Sequence, residues 1–250
     1  MPITADTSSP VPPSETTTRS DRPRAAGVAV GITLAAFIVS AAVGVGLIVP
    51  AVLLGLDVDV SDPAVFLSLT VAGQVGFLAV ALAYARRRGL RIRTAVPTRR
   101  EVGYVVGATV VALAAATGLS VVLSEFGLIP GSVIGDAATA DATVLLGLVV
   151  LSAVVIAPIE EFLFRGVVQG RLRESFGPVG AVAGSSLLFG SVHLLNYTGS
   201  LAAVVAGALL IATTGAVLGA AYERTRNLAV PTVAHAAYNA VLLGSAYLLV

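Results

Sequence analysis

The stretch Ile156-Ala-Pro-Ile-Glu-Glu-Phe-Leu-Phe-Arg165 places two adjacent carboxylates at the end of an apolar run that begins near Thr143. Ionisable groups inside a bilayer are costly and rare, so a pair of them in a membrane-length segment indicates a functional site. The chain has only two histidines, His193 and His235, and each lies in another apolar segment downstream. We therefore expect the two glutamates and the two histidines to meet in the folded protein.

The composition is that of a membrane protein. Of the 250 residues, 56% are hydrophobic and 12% are charged, whereas a soluble domain has about 45–50% apolar and about 25% charged residues. The apolar residues form continuous blocks, each about 20 residues long, the length that crosses a hydrocarbon core as a helix. Transmembrane strands would alternate apolar with polar residues instead. The sequence therefore predicts an all-α fold, a polytopic transmembrane helix bundle.

The chain divides into a tail and a membrane domain. Residues 1–24 are polar and rich in proline and threonine, which predicts a disordered cytoplasmic tail. Residues 25–250 are predicted to form the transmembrane domain. About seven spans are expected in it, at residues 25–54, 63–84, 102–123, 143–175, 178–195, 201–222 and 228–250.

The arginines predict the orientation. If the seven spans alternate in direction, every arginine lies in or next to the segments on one side of the membrane. The charged residues in the loops on the other side are all acidic. Because cytoplasmic loops collect positive charge, the amino terminus is predicted to be cytoplasmic. The absence of lysine and of an organelle signal favours a prokaryotic plasma membrane. The sequence has no basic patch with interleaved aromatic residues, so it does not predict binding to nucleic acid. It also has no cysteine, which excludes disulfides and thiolate chemistry.

Helical spacing separates the polar side chains into faces. His235 and Asn239 are four residues apart and share one face, as do Glu161 and Arg165, which can pair directly. Glu160 is turned away from Arg165 and is predicted to be the unpaired acid. Depths estimated from the helical rise place the glutamates, the histidines and Asn239 around one cavity that opens to the cytoplasm.

Three short motifs resemble those of a known family. Glu160-Glu161-Phe-Leu-Phe-Arg165 resembles the Glu-Glu-xxx-Arg motif of the CAAX prenyl protease 2/bacteriocin-processing (CPBP, abortive-infection-like) intramembrane proteases. Phe189-Gly-Ser-Val-His193 is similar to their Phe-xxx-His motif, and His235-Ala-Ala-Tyr-Asn239 to their His-xxx-Asn motif. Their order and spacing also fit, and the resemblance covers about residues 143–245.

The resemblance implies hydrolysis of a peptide bond within the membrane. By this resemblance Glu160 is the general base, and His193 helps it to hold the attacking water. His235 and Asn239 would donate hydrogen bonds to the oxyanion of the tetrahedral intermediate, a role that suits donors fixed in a low-dielectric cavity. The implied substrate is a membrane-associated protein or peptide, and the other implied partner is the lipid bilayer.

Glu161 and Arg165 complete the implied catalytic set. They would fix the helix and the site, and Arg165 is also a candidate partner for a substrate carboxylate. A purely structural ion pair is the alternative for these two residues. Asn239 has an alternative role as a hydrogen bonder between helices.

Other chemistries stay open at this point. We favour a mechanism without a cofactor, but two histidines and a glutamate would also suit zinc, with Glu160, His193 and His235 as ligands. A second hypothesis is a transporter that uses the buried acids and histidines as a proton relay. A third is a catalytically idle relative that acts as an immunity or scaffold protein. The sequence leaves the oligomeric state open.

Overall fold

The computed structural model describes residues 21–249. Its α-helices are Asp21–Leu53 (α1), Pro63–Arg88 (α2), Arg99–Glu125 (α3), Val133–Ala140 (α4), Thr143–Leu151 (α5), Ala157–Glu161 (α6), Gly170–Ser191 (α7), Leu201–Thr225 (α8) and Ala229–Leu249 (α9). The remaining elements are π-helical turns at Ser152–Ile156 and Phe162–Gln169, a 3₁₀ turn at Leu194–Asn196, and strands Gly131–Ser132 (β1) and Tyr197–Thr198 (β2). The predicted all-α fold is confirmed.

The first helix includes residues that were predicted to belong to the tail. Helix α1 begins at Asp21, so the last four residues of the predicted tail are helical. Residues 1–20 of that tail lie outside the described part of the chain. An acidic residue in the first helical turn is favourable because it faces the positive end of the helix dipole.

Five segments of the described chain are long and apolar enough to cross a membrane. They are Asp21–Leu53, Pro63–Arg88, Arg99–Glu125, Thr143–Asn196 and Leu201–Thr225. The segment Thr143–Asn196 covers both the fourth and the fifth predicted span, and helix α9 is not among the five. These segments indicate an integral membrane protein. The count of seven spans and the cytoplasmic side of the amino terminus stay predictions.

The chain reverses direction within α7. Gly177 has φ 69° and ψ −176°, a conformation in which a side chain would be strained, and Pro178 follows it. The Oγ of Ser185 lies 3.3 Å from Oε1 of Gln169, although sixteen residues of straight helix would separate them by about 24 Å. Gly177 therefore divides the segment at the boundary that was predicted between the fourth and fifth spans.

The helix that carries the glutamates is not a uniform α-helix. The N–H of Ala157 bonds the carbonyl of Ser152, five residues back, and Pro158 follows directly. Proline has no N–H and its ring clashes with the carbonyl four residues earlier. A wider π-helical turn relieves this clash, and such turns often occur at functional sites. The prediction of one continuous α-helix over 143–175 missed both π-helical turns.

Two ends of the bundle differ in character. One, the arginine-rich end, joins the start of α1, the end of α2, the start of α3, the turn at Gly177 and the link between α8 and α9. Asn227 fastens this end, since its side chain donates to the carbonyl of Ala95 at 2.9 Å and accepts from the N–H of Ala95 at 3.0 Å. Arg173 adds an ion pair with Glu223 at 2.9 Å.

The opposite end, the loop end, is closed by β1, α4 and β2. The two short strands pair antiparallel, with Gly131 opposite Thr198 and Ser132 opposite Tyr197. A side chain at position 131 would collide with the hydroxyl of Thr198, which would have to turn away, so glycine allows the two strands to pair without this adjustment. This pairing holds α4 across the bundle between the ends of the long helices.

Candidate active site

A cavity of about 800 Å³ lies between the helices of the bundle. Its wall is mainly apolar, with aromatic and aliphatic side chains from α1, α2, α4, α5 and α9. The predicted site residues Glu160, His193, His235 and Asn239 are among its polar lining residues, together with Gln74. A mainly apolar pocket with a few convergent polar groups is the usual form of a binding or active site.

The cavity extends toward the loop end of the bundle. Its lining residues on α2 lie in the first half of that helix, between Phe66 and Phe77, and α4 contributes several more, from Val133 to Thr139. None of the lining residues comes from the arginine-rich end. The prediction of a cavity that opens on the arginine-rich side is therefore wrong. Burial raises the pKa of Tyr197, another lining residue, to about 12, so this phenol adds no charge at neutral pH.

Glu160 faces the cavity from the short helix α6. Its side chain is 93% shielded from solvent, and its Oε1 accepts a hydrogen bond of 3.0 Å from Nε2 of Gln74 on α2. Glu160 was predicted to be the acid without an ion-pair partner on its own helix, and the hydrogen bond from Gln74 on α2 is an additional contact that the estimate from helical faces did not consider. Its second oxygen, Oε2, lies 4.0 Å from Nε2 of His235.

Glu161 and Arg165 form a buried ion pair behind the cavity wall. Their side chains are 0% and 1% exposed, with Oε2 of the acid 3.1 Å from Nε of the arginine. The contact predicted from their spacing of four residues is present, although neither atom has hydrogen-bond geometry there. Arg165 is not among the residues that line the cavity, and its contact with a substrate carboxylate stays a prediction.

The guanidinium of Arg165 has two further contacts. One of its terminal nitrogens donates to the carbonyl of Gly215 at 2.9 Å, and its centre lies 4.7 Å from the ring centroid of Phe189, a cation–π distance. A side chain on Gly215 would stand 3.0 Å from the ring of Phe189 and 3.4 Å from the guanidinium. Glycine at 215 therefore lets α8 approach the buried arginine.

His235 lies between the two carboxylates. Its Nδ1 is 2.9 Å from Oε1 of Glu161, and its Nε2 faces Glu160 at 4.0 Å. Glu161 is a carboxylate beside Arg165, and a carboxylate accepts hydrogen bonds only. Nδ1 therefore carries the proton of this bond, and Nε2 is the nitrogen left to the cavity. Sequence analysis had not predicted this contact between Glu161 and His235.

Asn239 stands one turn beyond His235 on the same face of α9. Its Nδ2 donates to the hydroxyl of Ser152, at the start of the first π-helical turn, over 2.9 Å. An asparagine amide has two N–H donors, so the second remains for the cavity. The hydrogen bond fixes the direction of the amide relative to the helix that carries Glu160.

His193 reaches the cavity from the end of α7. Its Nδ1 is 2.7 Å from the carbonyl of Phe189, and a carbonyl can only accept, so Nδ1 carries the proton. The neutral ring then has its free electron pair on Nε2. The ring of Phe189 packs edge-on against both histidines, with centroids 4.9 Å from His193 and 5.9 Å from His235. Within the described part of the chain, His193 is not a hydrogen-bond partner of Glu160.

The candidate zinc ligands do not form a ligand set in this arrangement. Among residues 21–249, no three histidine or acidic side chains are grouped so that they could hold a metal ion. The Nε2 of His235 and Oε2 of Glu160 are 4.0 Å apart, but His193 does not join them in such a group. The residues present therefore do not fit a three-ligand zinc site, and we assign no step to a metal.

Two polar residues of the site escaped the sequence analysis. Gln74 and Ser152 are 8% and 0% exposed, and each bonds a predicted site residue. A glutamine in the middle of an apolar span is costly in lipid, and this signal would have found Gln74. No comparable signal marks Ser152, because serine is common in membrane helices.

One comparison with known proteins gave a match. Residues 142–241 match the family model described as "Type II CAAX prenyl endopeptidase Rce1-like". This segment begins just before α5 and contains all six predicted site residues. Neither the curated proteins nor the solved structures that were compared gave a match.

Proposed function

We propose that this membrane protein cleaves a peptide bond within membrane-associated proteins or peptides, with Glu160 as general base, because residues 142–241 match the Rce1-like model of type II CAAX prenyl endopeptidases. One observation carries the proposal. Glu160 and the cavity-facing nitrogen of His235 stand 4.0 Å apart in the wall of a mainly apolar cavity. The family match does not favour a transporter or an idle relative.

The gap between Glu160 and His235 suits a water molecule. Two polar atoms 4.0 Å apart are too far for a direct hydrogen bond, but a water about 2.8 Å from both would bridge them. Such a water lies within reach of the carboxylate that takes its proton, as a general base requires. His193, with its free electron pair on Nε2, would accept the other hydrogen of this water.

The charges of the site support a protonated His235 during the reaction. Arg165 is positive, and ionised Glu160 and Glu161 are negative, so a positive His235 brings the buried group to a net charge of zero. Uncompensated charge in an apolar interior is expensive. The Nε2–H of His235 and the free N–H of Asn239 would then both point to the oxyanion, where fixed donors stabilise developing charge.

The reaction is written as follows. Glu160 takes a proton from the water while the oxygen of that water attacks the carbonyl carbon of the substrate. The carbonyl oxygen of the substrate becomes the oxyanion, which His235 and Asn239 hold. The carbon–nitrogen bond then breaks, and the proton from Glu160 passes to the leaving amine. The products are a carboxylic acid and an amine, which exchange a proton to become a carboxylate and an ammonium group. Glu161 and Arg165 take no part in bond changes, but they hold His235 in position.

The substrate class follows from the cavity wall. Apart from Glu160 and the histidines, the lining residues carry no charged side chain. An apolar segment of a membrane-associated chain can therefore enter without leaving a buried charge unpaired. The oligomeric state and the position of the cleaved bond are not part of this proposal.

Cleavage of a mixed library of membrane peptides by the purified, detergent-solubilised protein tests the proposal. Glu160→Gln keeps the shape of the side chain and removes the base, so the rate should fall by about 10²–10⁴. The matched control is Glu174→Gln, which changes a half-exposed glutamate that pairs with Arg171 and should leave the rate unchanged. A chelator should have no effect on the parent. Undiminished cleavage by Glu160→Gln would contradict the assignment, and loss of activity with the chelator would indicate a metal mechanism.

A further inference from the structure

We infer that Gln74, on α2 and outside the family-matched segment, is a positioning residue that keeps Glu160 ionised and aimed at the attacking water. This inference rests on the proposed function. Nε2 of Gln74 donates to Oε1 of Glu160 at 3.0 Å, and Gln74 is 8% exposed. It is the hydrogen-bond donor that the structure provides to this carboxylate within the described residues.

The direction of the bond restrains the acid through one of its two oxygens. A carboxylate accepts hydrogen bonds, whereas a protonated acid also donates one. With the N–H of Gln74 aimed at Oε1, the bond favours the carboxylate, which is the form that acts as a base. It also restrains the rotation of the acid, so that Oε2 stays turned toward His235.

The oxygen of the same amide indicates that a further molecule binds beside Gln74. Oε1 of Gln74 is buried and has no hydrogen-bond partner, although Gln74 lines the cavity. Buried acceptors in folded proteins nearly always find a donor, and an orphaned one needs an explanation. A second water in the cavity, distinct from the one that Glu160 and His193 share, would donate to this oxygen, so the amide would contact the base on one side and the contents of the cavity on the other.

A merely structural role is the competing explanation. Polar side chains between membrane helices often act only as interhelical contacts, and then replacing Gln74 would change stability but not the reactivity of Glu160. Thr70 gives a matched control, since it lies one turn earlier on α2 and lines the same cavity. Its hydroxyl bonds the carbonyl of Phe66 in its own helix at 2.9 Å.

The test uses the full chain in detergent micelles and dicyclohexylcarbodiimide, an apolar reagent that adds to protonated carboxyl groups and leaves a stable N-acylurea. Label on the peptide that contains Glu160 is measured by mass spectrometry, and Glu160→Gln identifies the share on that residue. Gln74→Met has nearly the same size as the parent residue and lacks the donor. At an alkaline pH at which little label enters the parent, this variant should be labelled about tenfold faster or more.

The controls make the result decisive. Thr70→Val should be labelled at the parental rate, and Gln74→Asn, whose amide is one methylene too short to reach Glu160, should behave like Gln74→Met. Equal labelling of the parent and both Gln74 variants, all folded as judged by gel filtration, would overturn the inference. Should Gln74→Met fail to fold, Gln74→Asn alone decides the question.

A kinetic measurement separates this inference from the proposed function. On a library peptide that the parent cleaves, Gln74→Met should lower kcat about tenfold or more and leave KM within about twofold, because the bond orients the base and not the substrate. A higher KM with unchanged kcat would contradict the positioning role. A parent that labels as expected but cleaves nothing would contradict the protease function and leave the contact of Gln74 with Glu160 supported.

Discussion

Replacing Arg165 with methionine is expected to destabilise the bundle far more than the same change at Arg171. Both arginines pair with a glutamate on their own helix, Arg165 with Glu161 at 3.1 Å and Arg171 with Glu174 at 2.6 Å. They differ in burial, since the first pair is at most 1% exposed while Glu174 of the second is 50% exposed. The comparison therefore measures the effect of burial together with the further contacts of Arg165 with Gly215 and Phe189.

The magnitudes follow from that burial. Removing one partner of a buried ion pair costs about 3–5 kcal/mol, because the other charge stays behind without compensation. Exposed pairs within a helix contribute about 0.3–0.5 kcal/mol. The Arg165 variant also loses the hydrogen bond to the carbonyl of Gly215. Its folding equilibrium should thus shift by about a hundredfold or more, and that of the Arg171 variant by less than threefold.

Equilibrium unfolding in mixed micelles, with sodium dodecyl sulfate as denaturant and helicity as the signal, measures both free energies. The double variant Glu161→Gln with Arg165→Met should recover part of the loss, since no buried carboxylate then remains unpaired. Equal destabilisation at positions 165 and 171 would refute the reasoning. So would a double variant whose loss equals the sum of the two single losses.

Two further predictions concern packing and pH. Gly190→Ala places a Cβ against the Ala208 carbonyl oxygen and should lower the free energy of unfolding by about 1–3 kcal/mol. Gly170→Ala is the control, because open space surrounds that residue, and it should not destabilise the protein. Equal melting temperatures of the two variants would contradict this prediction. Hydrogen bonds from Thr143 hold the pKa of Asp141 below its ordinary value of 3.8. The group therefore adds stability above that value and loses it as the pH falls through the lowered pKa, so Asp141→Ala should lower the melting temperature at neutral pH but not in acid. A deficit independent of pH would contradict the second prediction.

Local patterns predicted the parts of the site that lie within one helix. Spacing of four residues correctly placed Glu161 against Arg165, because the geometry of a single helix fixes that contact. The boundary predicted between residues 175 and 178 coincides with the reversal at Gly177 and Pro178, where glycine permits a positive φ and proline follows it. The all-α fold followed from the length and continuity of the apolar blocks.

Contacts between helices were beyond these patterns. Hydropathy gives the length of a span but not its neighbours, so it did not predict the contact of Gln74 with Glu160 or that of His235 with Glu161. The direction of the cavity depends on α4, which crosses the loop end only because β1 and β2 pair. The first π-helical turn depends on how the chain accommodates Pro158, and helical periodicity does not distinguish either π-helical turn from ordinary turns.

The contribution of α2 to the site has a consequence for how related chains are compared. A fragment limited to residues 142–241 would retain every residue of the three motifs and still lack the amide that holds Glu160, together with the wall formed by α1 and α2. Possession of the motifs and competence for catalysis are therefore separate properties. A relative with intact motifs and leucine in place of this glutamine would carry the same signature yet, by the inference above, turn over slowly. By the same inference, the residue equivalent to Gln74 would distinguish faster from slower members before any substrate is known.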